Sequence, residues 1–156
     1  MENLKNYPSH AFKGPVAFIT IKAGKKIWKL TSYPLVNKGH VSPWWLPFEL
    51  NDEMKAFSKE VLGFDEIKMR SKNIGCDLKE YIRAWCNVCY DWNALGRMLV
   101  VEATEDIHAV FGRFSSQPVI SNGDPSVRFI AGSSSICQLW IPGLDATKIK
   151  VVSNVH

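Results

Sequence analysis

The stretch "GPVAFITIKAGKKIWKLTSY", residues 14–33, decides how the chain begins. Val16, Phe18, Thr20 and Lys22 alternate with Ala17, Ile19 and Ile21, the period of two that a β-strand needs. Lys26, Trp28, Leu30 and Ser32 then alternate with Ile27, Lys29 and Thr31. Gly24 lies between the arms and suits a turn. The pattern predicts an N-terminal β-hairpin.

Just downstream, "GHVSPWWLPFEL" (39–50) holds two adjacent tryptophans between two prolines. Proline fixes φ and removes an N–H donor, so this segment reads as a loop. Either it folds back to close a core, or its indoles face a ligand. The next stretch, "NDEMKAFSKEVLG" (51–63), predicts a short helix. Asn51 or Asp52 can cap it, and Met54, Phe57, Val61 and Leu62 form its apolar stripe. Gly63 reads as its stop, and "DEIKMRSKNIG" (65–75) as a charged connector.

A second, longer helix is expected from Leu78 to about Leu95. Asp77 and Glu80 are spaced as a capping box. Leu78, Trp85, Trp92 and Leu99 recur every seven residues, the stripe of a central core helix. After Gly96 the period returns to two. "RMLVVEAT", "HAVFGRFSS", "VRFIAG", "ICQLWIP" and "KIKVVSN" read as strands, with "EDI" as the first turn between them. The expected fold is α+β: an N-terminal β-hairpin, two helices, then a largely antiparallel sheet of four to five strands, in a single globular domain over 1–156.

Bulk properties narrow the function. The 156 residues carry four cysteines and a net charge of +4. No apolar run reaches transmembrane length, and the N-terminus lacks the apolar core of a secretory signal, so a cytoplasmic protein is expected. Cys86 and Cys89 form a CxxC, but with Cys76 they lack the second half of a zinc module, so reduced thiols and no metal are expected. The charge is uneven. Residues 1–48 hold seven lysines against Glu2 alone, a net +6, which suits either a solvated face or a phosphate-bearing partner.

No phosphate-binding loop, dinucleotide fingerprint, zinc-protease motif or nucleophile elbow occurs. Three strand segments carry polar residues on one face. These are Lys29 with Thr31 in "WKLTS", Arg113, Ser115 and Gln117 in "GRFSSQP", and Gln138 with Trp140 in "CQLWIPGL". Each pattern also fits ordinary strand alternation.

The order of these segments resembles that of ADP-ribosyltransferase-like toxin domains. In that family a first strand carries a basic residue, a later strand carries S-T-S, and a late strand ends in E-x-E. "WKLTS" stands at the first position with Lys29 in place of arginine, and Ser115 and Ser116 of "RFSSQ" at the second. At the third, Gln138 occupies the place of the catalytic glutamate and Ile136 that of its partner. The resemblance implies an NAD-binding transferase or NAD glycohydrolase toxin domain, delivered into a target cell. It is either a divergent enzyme with its acid elsewhere, for which Glu102 is the candidate, or a relative that has lost the activity. It also implies one pocket bordered by Lys29, Thr31, Trp44 or Trp45, Ser115, Gln117 and Gln138, with an indole on a planar ring and NAD as cofactor. Two other readings stand beside it. One is a nucleic-acid-directed binder or nuclease built on the N-terminal lysines. The other is a non-enzymatic interaction or immunity protein with an aromatic anchor.

Overall fold

The computed structural model describes residues 4–31, 34–75, 78, 97–114 and 137–155. Two single-turn 3-10 segments lead into β1 (Phe12–Ile21) and β2 (Lys26–Thr31). Then come β3 (Val36–Asn37), β4 (His40–Val41), β5 (Trp44–Pro47), α1 (Asp52–Phe57) and α2 (Phe64–Asn73). After these stand β6 (Arg97–Ala103), β7 (Ile107–Phe114), β8 (Cys137–Trp140) and β9 (Ile149–Val155). The seven longer strands form one antiparallel sheet in the order β1-β7-β8-β5-β2-β6-β9, and β3 and β4 pair apart from it. The broad α+β layout and the antiparallel sheet expected from the sequence hold. The long helix expected after Leu78, the strand at 127–132 and Cys76, Cys86 and Cys89 lie outside the described residues, and so do Ser115 and Gln117.

The opening stretch does not close a hairpin. β1 pairs with β7 and β2 with β6, in registers that run from Ile21↔Ile107 to Lys26↔Glu102. Two chain segments, β1–β2 and β6–β7, each bend at a corner and lie antiparallel along their whole length. Gly24, at φ 90°, donates to the Ala103 carbonyl at 2.8 Å, and Ala103 donates back to Lys25 at 2.8 Å. The Asp106 carboxylate accepts from the Ala23 amide at 3.0 Å and from Lys22 at 3.3 Å. The Ala23 bond above all holds this exposed carboxyl below its usual range, with Lys22 adding to it. Alternation was read correctly; partner choice was not. Ile19, Ile21 and Ile27 share one buried cluster with Val101, Ala103, Ile107 and Ala109, so the bend wraps that core from both arms.

Three further expectations are corrected. The paired tryptophans form a central strand rather than a loop, because β5 is short enough to place both prolines harmlessly. Pro43 lies before it and accepts from Ile141, while Pro47 ends it and the next amide, Phe48, donates to Lys26. Gly63 is not a stop. The first helix ends at Phe57, and Gly63 is the N-cap of α2. Most of the expected connector, 65–75, is helical and belongs to α2. Phe64, Ile67 and Ser71 give it a buried stripe, with Asp65 and Glu66 in its first turn and Arg70 and Lys72 in its last.

The two helices cover opposite faces. Met54 of α1 and Val61 join the cluster of Ile27, Trp45, Leu99 and Leu139. Asn51 caps α1 by accepting from Met54 at 2.8 Å, and its amide reaches the Thr20 carbonyl of β1 at 3.3 Å. On the other face Phe64 and Ile67 of α2 seal Trp28, Leu46 and Val100. Among the described residues, no helix is long and apolar enough to cross a membrane.

Candidate functional site

Strand alternation sorts the expected site residues before any distance is measured. On β2, Ile27, Lys29 and Thr31 point one way and Trp28 and Leu30 the other. Lys29 pairs with Leu99, a member of the cluster that contains Trp45, so Lys29, Thr31 and Trp45 share the α1 face. Trp44 and Leu46 of β5, and Gln138 of β8, have the opposite parity.

On the α1 face a cavity of about 210 Å³ opens beside Lys29. Lys29 and Thr31 of β2 and Leu99 of β6 line it, with Ser42 from just before β5 and Trp45 from β5. Pro34 and Leu35, just ahead of the β3–β4 ribbon, and Asn37 within β3 complete the lining. Trp45 is held from behind by its indole N–H, which donates to the Ser42 carbonyl at 2.7 Å. Its ring lies 4.9 Å from the Lys29 ammonium, a cation–π contact worth about 0.5–2 kcal/mol. Among the described residues no carboxylate pairs with Lys29. Burial therefore goes uncompensated and lowers its pKa from 10.5 to about 8. The site offers a desolvated amine, an indole face, two hydroxyls and an amide. Such a set can hold a small anion-bearing ring compound.

Comparison with known proteins adds one likeness. No family model matches the chain, and no curated protein matches it. Among solved structures it is similar in fold to a chain of Rhs1-CT in complex with cognate immunity protein RhsI1. The TM-score is 0.50 at 12% identity, over 91% of this chain and 80% of that one. At that identity the likeness is one of fold alone.

The expected pocket is thus brought together only in part. Lys29, Thr31 and Trp45 meet in it; Trp44 and Gln138 do not. Trp44 tilts against Phe12 at 5.9 Å on the far face. Gln138 is buried there and donates through Nε2 to the Ala11 carbonyl at 2.7 Å, which ties the N-terminal turn to the sheet. Glu102 also faces away from Lys29. It lies opposite Lys26 in the ladder and 4.0 Å from Lys150, so it is an ion-pair member of the sheet rather than a neighbour of the cavity. Neither candidate catalytic position reaches the cavity, because on its own strand each points to the face opposite Lys29 and Trp45. Arg113 does lie on the α1 face, 5.0 Å over the Phe57 ring. Beside it Cys137 is sealed, its thiol pushed up to about 12 by burial.

Sequence reasoning missed Leu35, Asn37 and Ser42. A signal for them was present. "VNKGHV" (36–41) is a short alternating run around Lys38-Gly39, both at positive φ (53° and 81°), the form of a two-residue hairpin turn.

Proposed function

We propose that the chain is a toxin or effector domain that binds NAD or a related nucleotide in the Lys29–Trp45 cavity. The observation that carries the reading is the half-buried, desolvated amine of Lys29, paired with no carboxylate among the described residues and set on the Trp45 ring at the mouth of a cavity. A buried ammonium without a carboxylate is costly, and an anionic ligand removes that cost. The indole supplies a surface for a planar ring. The cavity is smaller than the ~300 Å³ at which whole-ligand pockets begin, so it takes one end of a dinucleotide rather than all of it.

The fold likeness to the Rhs1-CT complex supports the toxin context. It also favours a protein partner, an immunity protein, over nucleic acid. The basic N-terminal segment is less available to nucleic acid than its composition implies. Lys22 holds Asp106, Lys26 lies 3.9 Å from Glu49, and Lys29 lies over the Trp45 ring beside the cavity. The reading is tested by inducing the chain in the bacterial cytoplasm while following growth and total NAD. Growth arrest with NAD loss, abolished by Lys29→Met, is expected. Normal growth with an unchanged NAD pool would overturn it.

A further inference from the structure

The Lys29 amine has features that anion binding alone does not use. It projects from the middle of a central strand, flanked in the sheet by β5 and β6, and is half-buried, so its backbone is fixed beside the cavity. The face of Trp45 covers it at 4.9 Å, and no carboxylate among the described residues holds its proton. The cavity leaves room for a small molecule beside it, and the Thr31 and Ser42 hydroxyls line the same space. The other lysines in the first half of β2 and its turn differ. Lys25 is exposed, and Lys26 has Glu49.

We propose that Lys29 is a nucleophilic amine that condenses with a small carbonyl compound, an aldehyde or ketone, bound against Trp45. The neutral amine donates its lone pair to the carbonyl carbon. A C–N bond forms, the C=O π pair moves to oxygen, which takes up a proton, and the nitrogen gives up one, leaving a neutral carbinolamine. The carbinolamine then loses water, its hydroxyl leaving with one proton as the nitrogen lone pair forms C=N and nitrogen gives up a proton. Thr31 and Ser42 are placed to carry those protons. The lowered pKa of Lys29 leaves a useful fraction of neutral amine near neutral pH, as desolvated catalytic lysines require. This inference does not depend on the chain acting on NAD, because it concerns only the amine and its cavity.

The probe is 4-formylbenzoate with cyanoborohydride at pH 7.5, which fixes any imine as a stable secondary amine. The full chain is labelled for a short time and digested, and each lysine is quantified by mass spectrometry. Lys29 is expected to label about tenfold faster than the exposed Lys25 and Lys55. Lys29→Met should remove the fast phase and leave the slow labelling of the others. Labelling of Lys29 at the same rate as Lys25, or slower, would overturn the proposal, and this comparison within the wild-type chain needs no variant to fold. Adding NAD separates the two readings. Fast labelling that NAD does not slow supports the reactive amine and counts against the nucleotide.

Discussion

Trp28 and Lys29 are neighbours on one strand, yet they face opposite surroundings. Trp28 is fully buried, packed edge-on to Phe64 at 4.7 Å, and sealed under α2 with Leu62 and Ile67. Lys29 faces α1 and a cavity. The α2 face is closed with aromatic stacking, Phe48 lying flat on Phe64 at 4.7 Å. The α1 face is closed around β1 and β7, where Phe57 meets Phe111 at 5.5 Å, and open beside β2. The sheet itself does not choose a site. Coverage does: the helix of ten residues seals its side, and the helix of six leaves room.

Four substitutions sharpen or break that contrast. Trp28→Ala removes a fully buried indole from the sealed face and should cost about 3–5 kcal/mol, read by denaturant unfolding. A loss under about 1 kcal/mol would mean that α2 does not close that face. The cost is offset in part because, among the described residues, the Trp28 indole N–H has no hydrogen-bond partner to lose.

Lys29→Met should act with the opposite sign. The folded-state pKa of Lys29 lies near 8, below its ordinary 10.5, so between those values the unfolded chain binds more protons. Wild-type stability should therefore rise as pH climbs from about 8 to 10.5, by up to about 3 kcal/mol. The variant should be more stable than wild type below pH 8 and lose this rise. A wild-type stability that is flat across that window, measured by chemical denaturation at each pH, would contradict the burial of the amine.

Gln138→Ala should cost about 1–3 kcal/mol by stranding the Ala11 carbonyl, with no effect on the cavity. If it weakened ligand binding as much as a change at Trp45, the assignment of faces would be wrong. Asn51→Ala, at the cap of the short helix on the open face, should cost about 1 kcal/mol by thermal melting.

Much of this was written in the sequence. The alternation in 14–33 and 97–114 located four strands, and the Asn51 cap located α1. What local patterns do not encode is which strand pairs with which. The Gly24 turn closes a hairpin by every local rule, yet β1 and β2 each find a partner some 80 residues away because both arms bury isoleucines in one core. The shared face of Lys29, Thr31 and Trp45 was legible, since it follows from parity and pairing. It was misread for Gln138 because parity on β8 has meaning only relative to β5, and Trp45 faces Leu139 there, not Gln138. Glu102 failed likewise, its neighbours Lys26 and Lys150 being set by the ladder.

The central claim is that the Lys29–Trp45 cavity is a ligand site and the far face is not. Calorimetric titration of NAD into the wild-type chain, Lys29→Met, Trp45→Leu and Gln138→Ala at pH 7 tests it directly. Saturable binding by wild type and Gln138→Ala is expected, with at least a roughly tenfold weaker Kd, about 1.4 kcal/mol, for each of the two cavity variants. Wild-type heats that never saturate, or a Lys29→Met variant that binds as tightly as wild type, would contradict it.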